Sequence, residues 1–446
     1  MIGLVMFFAA LVMLVLGFPV AFTFGAVAIY FGAIAAYLEL AQDGAVTFAD
    51  WWDEFISMFS MMPFRIESIM ENKILMAVPL FIFMGIVLQK SQLAERLLMS
   101  MGTLFGKVRG GLAVSTVLIG ALLAASTGVV GASVVAMGVI SLPIMLKSNY
   151  NKALSCGTIC ASGTLGQIIP PSIVLIILAD VFQLPVGDLF KAAVWPGLAL
   201  VAIYIIYILV VSFLNPKVAP ALDRVEESYS ANVKKALIAI IPPLTLIVLV
   251  LGSIFAGVAT PTESASLGAL GSMILAAMYK KLNLKLVKEA SLETVRTTSM
   301  VFAILVGATA FSMVFIYSGA DELVENFMMN LPGDKWGFII LSMSIIMFLG
   351  FFIDFIEISY IVVPILLPIA TKIGIDPLWY AILIALNLQT SFLTPPFGFS
   401  LFYLKGVAPP EVKTTDIYKG VVPFIILQVL VLASIVLFPS IYGFKS

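Results

Sequence analysis

Long apolar runs, most of them about the length of a bilayer crossing, alternate with short polar connections along nearly the whole chain. Met1 to Leu40 carries no charge before Glu39. As one helix it would be about 60 Å long, twice the hydrocarbon core. It is therefore expected to fold back at Gly17-Phe18-Pro19 into two short spans, the first beginning at MIGLVMFFAALVML, which lacks the basic leader and cleavage site of a signal peptide. Asp50 to Lys73 sets Trp51, Trp52, Phe55, Phe59 and Met62 at helical spacing with Asp53, Glu54 and Ser57 between them. That pattern predicts an amphipathic helix lying at an interface. Ile74 to Leu88 is a third span, and Lys90 to Arg109 is a basic connection. Leu112 to Leu146 holds only small and apolar residues, with Ser126-Thr127-Gly128 and Gly131-Ala132-Ser133 at its middle, and suits a helical hairpin as readily as one long span. Leu154 to Asp180 and Trp195 to Leu214 follow, and the polar loop Asn215 to Lys235, carrying Asp223, Arg224, Glu226 and Glu227, divides the chain.

The second half repeats this order. Ala236 to Phe255 and Thr262 to Tyr279 are spans joined by GVATPTES; Lys280 to Arg296 is a second amphipathic segment and Thr297 to Tyr317 a span. Ser318 to Val324 stands in register with Ser91 to Leu97. Gly337 to Lys372 mirrors the first hairpin, with Pro368 opposite Pro143, and Pro377 to Leu404 and Gly420 to Phe438 complete the set. Five full crossings and one hairpin per half make an odd count, so the pattern predicts two inverted repeats in an all-α polytopic membrane protein.

Within each half one helix-length segment is interrupted. Gly163 to Ser172 reads GTLGQIIPPS, and Gln389 to Phe399 reads QTSFLTPPFGF. Proline removes a backbone donor and clashes with the preceding turn, so Pro170 and Pro171, and again Pro395 and Pro396, end one helical half and let another begin. The two proline pairs are in corresponding positions of the two halves, the best sequence pointer to a secondary transporter's binding site.

Composition narrows the reading. Hydrophobic residues are 61% of the chain and charged ones 11%, against about 25% charged in a soluble domain. A net charge of -1 gives no case for nucleic acid. The absence of histidine excludes His-based triads, His metal sites and His proton relays. Cys156 and Cys160 lie in an apolar run and read as inert buried thiols. If the repeat holds, the connections 90–111, 147–152, 215–235 and 280–296 share one side and carry 15 of the chain's 24 Lys and Arg but only 6 of its 25 Asp and Glu. The positive-inside rule makes that side cytoplasmic and both termini periplasmic.

Three acids fall outside the connections. Asp354 lies at the midpoint of the second hairpin, and a carboxylate at membrane depth is costly unless it pairs or binds a cation. The structural alternative for Asp354 is a helix N-cap or an acid at a water-exposed tip, and the same choice stands for Glu357. Glu263, after Thr260-Pro261-Thr262, reads as a cap. Na+ prefers oxygen ligands, and an interrupted helix offers free carbonyls where its ladder stops. Two symmetry-related Na+ sites are expected, each between a hairpin tip and a broken helix. The first would draw on Ser126, Thr127, Gly128, Ser133, Gly163, Thr164 and Gly166, with Ser172 beside them; the second on Asp354, Thr390, Ser391 and Thr394. Against this, each hydroxyl could simply bond its own backbone. Helix N-termini at the breaks suit an anion. Gln167, Thr164 and Thr390 are candidate substrate contacts, although Gln167 could equally satisfy freed carbonyls.

GVATPTESASLGA at 257 to 269, STGVVGAS at 126 to 133, GTLGQIIPPS and LTPPFGFSLFYL at 393 to 404 together resemble the large membrane subunit of tripartite ATP-independent periplasmic (TRAP) transporters. The resemblance covers essentially the whole chain. It implies Na+-coupled uptake of an organic anion by an elevator motion, in a bacterial inner membrane. It further implies a separate small four-helix membrane subunit and a soluble periplasmic binding protein that delivers a C4-dicarboxylate, sialic acid or a related sugar acid. On this reading 1–111 is scaffold with the first amphipathic arm, 112–194 the first half of the transport domain, 195–336 scaffold with the inter-repeat loop and second arm, 337–419 the second transport half, and 420–446 a last scaffold helix. H+ coupling through Asp354 is the alternative within this class. A channel would need a continuous polar pathway, and an intramembrane enzyme would need more than Asp354 and Glu357.

Overall fold

The early apolar run folds back where its composition requires it. In the computed structural model, helices Ile2–Val15 and Val20–Leu40 are joined at Gly17, whose φ of +89° suits a residue without a Cβ. The structure describes all residues except 43, 92–96, 98–99, 103, 128–129, 222–228 and 445–446, and no side chains at 124–127, 229–232 and 235. Among the described residues, seven helices are long and apolar enough to cross a membrane, with four shorter apolar helices beside them. The chain forms two compact units, 1–75 with 296–377 and 76–295 with 378–446.

In the first unit, Gly307 lies so close to Val20–Leu40 that an added Cβ would sit 2.6 Å from the Ala21 carbonyl oxygen. Small residues permit this backbone approach where the surrounding solvent is itself apolar. The segment whose aromatic pattern predicts one amphipathic helix is two, Phe48–Met58 and Met62–Glu71. Pro63 explains the difference: in the first turn of a helix its missing N–H costs nothing, so it marks a new start. Trp51 Nε1 donates to the Ala33 carbonyl at 2.8 Å and anchors the first of the two. The predicted boundary near Arg296 is absent: Leu284–Tyr317, of which 296–317 belong to this unit, is one helix of 34 residues, because Glu293 to Met300 contains neither Gly nor Pro to stop it. The second hairpin comprises Asp334–Leu349 and Phe355–Lys372, the latter with a π-helical stretch at Ile358–Val362.

The second unit contains Ala77–Lys90, a hairpin of Gly111–Thr127 and Val130–Lys147, and the spans Val186–Leu214, Tyr229–Phe255 and Pro261–Met278. Glu263 belongs to a capping box, accepting the Thr260 N–H at 2.8 Å while its own N–H reaches the Thr260 hydroxyl, as the sequence predicts for a cap. Both split helices also lie in this unit. Lys152–Thr164 passes through a 3₁₀ turn, Leu165–Gln167, before Ile173–Val181; Pro377–Leu393 gives way to Phe399–Val407. Thr414–Leu437 packs on the first of them backbone to backbone. A Cβ on Gly157 would lie 2.0 Å from the Gly420 carbonyl oxygen, and one on Gly420 would lie 2.0 Å from that of Ala153.

Candidate functional site

Each split helix is opened by its proline pair and then satisfied locally. The Pro170-Pro171 and Pro395-Pro396 bonds are both cis. In the first break the Ser172 hydroxyl donates to the Gln167 carbonyl at 2.7 Å and accepts the Leu175 N–H, capping Ile173–Val181. In the second, the Ser400 hydroxyl donates to the Phe392 carbonyl at 2.9 Å. Gly398 lets the chain pass close to itself: an added Cβ would sit 2.7 Å from the Phe392 carbonyl oxygen.

The two split helices meet through side chains. Gln389 Nε2 donates to Thr164 Oγ1 at 3.5 Å across 225 residues of sequence, and Gln428 Nε2 reaches the same oxygen at 3.5 Å. Gln428 also donates to the Tyr204 hydroxyl at 2.7 Å, and Cys160 Sγ lies 3.7 Å from the Ser400 carbonyl oxygen. Cys156 and Cys160 are free, buried thiols, in keeping with their apolar surroundings. Gln167, fully buried in the 3₁₀ turn, has no partner for either amide atom.

The hydroxyls singled out in the sequence do bond their own helices. Thr164 donates to the Ala161 carbonyl at 2.9 Å, Thr390 to Leu386 at 2.8 Å, Ser391 to Leu388 at 2.7 Å and Thr394 to Thr390 at 2.8 Å. A hydroxyl whose proton is spent this way keeps oxygen lone pairs, the feature a hard cation uses. Gly163 and Gly166 are buried at the first break, and a Cβ on Gly163 would meet Val134 Cγ2 at 2.3 Å. Ser133 is buried near the start of Val130–Lys147. Gly128 lies outside the described residues, as do the side chains of Ser126 and Thr127, the stretch 92–96 of the predicted Ser91 to Leu97 register, and Asp223, Arg224, Glu226 and Glu227.

Asp354 belongs to the first unit, as the N-cap of the hairpin's second arm, its Oδ1 accepting the Phe355 N–H at 2.7 Å. Glu357 is buried one turn on, and its Oε2 has no hydrogen-bond partner. The same unit holds a cavity of about 400 Å³ between Phe7, Phe8, Phe315, Phe327, Val362 and Ile365. Its walls are apolar and offer nothing to orient an anion.

Sequence reasoning names neither Gln428 nor Tyr204. The available signal is a lone amide inside VPFIILQVLVLASIVL, a run otherwise almost free of polar atoms.

Comparison with known proteins agrees with this architecture. The family described as "Tripartite ATP-independent periplasmic transporter, DctM component" matches residues 6–441. The C4-dicarboxylate TRAP transporter large permease protein DctM of Pseudomonas aeruginosa is 32% identical over 373 residues, 83% of this chain and 86% of that one. The sialic acid TRAP transporter large permease protein SiaM of Vibrio cholerae is 27% identical over 372 residues, 83% of this chain and 85% of that one. Among solved structures, the YdaH transporter of Alcanivorax borkumensis superimposes with a TM-score of 0.59 at 14% identity, covering 86% of this chain and 89% of that one, a likeness of fold alone. The chain is a multi-span transporter permease rather than an enzyme, and it belongs to the DctM component family of tripartite ATP-independent periplasmic transporters.

Proposed function

We propose that this permease couples a Na+ gradient to uptake of a carboxylate-bearing organic anion, of the C4-dicarboxylate or sugar-acid (sialic acid) class. The observation that carries the proposal is the pairing of two split helices in one compact unit, joined at Thr164 and Gln389. At the second break the hydroxyl protons of Thr390, Ser391 and Thr394 are already committed to helix carbonyls, which leaves oxygen atoms to replace the hydration shell of a hard cation. In this reading Ser133 and the carbonyls of Gly163, Thr164 and Gly166 contribute to one Na+ site, with Ser126, Thr127 and Gly128 of the hairpin tip, while the Thr164 hydroxyl, which already accepts from Gln389 and Gln428, holds the break in place. Thr390, Ser391 and Thr394 contribute oxygen to another. Gln167 and the N-terminus of Ile173–Val181 suit the substrate's polar groups. The order hairpin then split helix, at 111–181 and again at 334–407, supports inverted repeats and an elevator motion.

The substrate class follows the relatives: the Pseudomonas protein is named for C4-dicarboxylates and the Vibrio protein for sialic acid. The family's tripartite description supports two partners, a small membrane subunit and a periplasmic binding protein. Loop charge supports an inner-membrane orientation with both termini periplasmic. Reconstitution tests the whole reading. Proteoliposomes holding the permease and small subunit are supplied with binding protein loaded with a C4-dicarboxylate or with sialic acid, under an imposed Na+ gradient. Saturable uptake of one of the two, abolished when choline replaces Na+ at fixed pH, is expected. Undiminished uptake in choline would overturn Na+ coupling in favour of H+.

A further inference from the structure

Thr164, Tyr204, Gln389 and Gln428 come from four helices and meet where all four are buried. Thr164 is the hub: its proton goes to the Ala161 carbonyl, so its oxygen is free to accept from both amides. The separations are 225 residues between Thr164 and Gln389 and 224 between Tyr204 and Gln428, so the four form two pairs placed alike in the two halves. With both Nε2 groups turned to these acceptors, the Oε1 atoms of Gln389 and Gln428 are buried without partners. Gln167, three residues beyond Thr164, has both amide atoms unpaired. Buried amide groups in native proteins are almost always paired, because leaving one dry forfeits its hydration for nothing.

The chemistry of the unpaired atoms selects what satisfies them. A cation would pair only with the oxygens, and an anion only with Gln167 Nε2. Water donates to the first and accepts from the second. We propose that the amides of Gln167, Gln389 and Gln428 enclose ordered water, and that Tyr204 and Gln428 are positioning residues which, through this network, hold Thr164 and with it the first helix break. The transport consequence rests on the Na+-coupling reading; the water does not. Two helices that carry no break, Val186–Leu214 and Thr414–Leu437, thereby set the geometry of one that does.

Two measurements test this on the complete transporter. A cryo-electron microscopy map that resolves water should show density bridging the glutamine amides in the unmodified protein; amides that instead pair directly with one another would overturn the site. Tyr204→Phe, which removes one hydroxyl and keeps the ring packed on Phe424, and Gln428→Leu should each raise the Na+ concentration for half-maximal uptake about tenfold with little change in maximal rate. The double variant should be no worse than the poorer single one, because both remove the same link. A purely structural role would lower yield and thermal stability without moving the Na+ midpoint, and that result would overturn the positioning role. Loss of all Na+ dependence in the unmodified transporter would instead sink the coupling reading, and the water density alone would then decide the site.

Discussion

The two helix breaks have corresponding sequences and opposite surroundings. From Gly163 to Ser172 the first break is almost wholly buried, Pro170 and Pro171 included; in the second, Pro396 is exposed and Phe397 is 46% exposed. At positions 225 residues apart the halves put Gly163 against Leu388, Thr164 against Gln389, Gln167 against Phe392 and Ser172 against Phe397. One problem is nonetheless solved twice. The carbonyls of Gln167 and Phe392 occupy equivalent positions, and each accepts a serine hydroxyl from beyond the prolines. The serines themselves are not equivalent: Ser172 is the cap of its helix, whereas Ser400 sits one residue inside its own. What the two halves share is the need to satisfy a freed carbonyl, and the side chains around that need have diverged. The first break carries polar atoms inward, and the second presents Pro396 and an aromatic ring outward.

The largest difference between the breaks should come from volume. Gly163→Val places atoms where Val134 Cγ2 would be 2.3 Å and its backbone N 3.2 Å from the new Cβ. Overpacking of this kind costs about 3 kcal/mol, and here part of the obstruction is main chain that cannot rotate away. Thermal unfolding of the purified protein in detergent should show a large loss of stability together with loss of uptake. The equivalent Leu388 already has a large side chain, buried in Pro377–Leu393, so Leu388→Val should be milder, at about 1 kcal/mol. Equal losses at both positions would mean that the asymmetry of packing is not real.

Gln167→Leu separates chemistry from stability at the first break. It removes two unpaired buried polar atoms and puts in an apolar side chain of similar size, giving the first half what Phe392 gives the second. Because the amide's proposed partners are water rather than protein groups, an apolar side chain of similar size exchanges those hydrogen bonds for burial, and stability should change by less than about 1 kcal/mol. Uptake should fall about tenfold, equivalent to roughly 1.4 kcal/mol of transition-state stabilisation. Retained uptake would remove Gln167 from the binding machinery.

Much of this was legible because it depends on local chemistry. Gly17 supplies a turn, Thr260 and Glu263 a capping box, and the proline pairs two interruptions, each decided within a few residues. Pro63 carried an equally local signal, masked by the aromatic periodicity running through it. The continuity of Leu284–Tyr317 was less visible, since a change from amphipathic to apolar pattern alters what surrounds a helix and not whether it continues. The Thr164 network was the hardest part. Gln428 finds its partners 264 and 224 residues away, a pairing that no periodicity encodes. A single glutamine in an apolar span indicates that a partner is needed without indicating which.

The smallest expected effect tests whether the second break is held as firmly as the first. Tyr418 Oη donates to the Pro396 carbonyl at 3.0 Å at an exposed position, a side-chain tether on that proline pair. Water can replace it on both partners, so Tyr418→Phe should cost no more than about 0.5 kcal/mol in thermal unfolding. Uptake need not follow stability. If the break must open and close during each cycle, loss of one tether should alter turnover by a factor of two or three while the Na+ midpoint stays fixed, the opposite of the pattern expected for Tyr204→Phe. Measuring both variants in the same proteoliposome assay compares an exposed tether on one break with a buried one on the other. A shift of the Na+ midpoint in Tyr418→Phe as large as that in Tyr204→Phe would show that the second break is coupled to the ion as tightly as the first, despite its exposure.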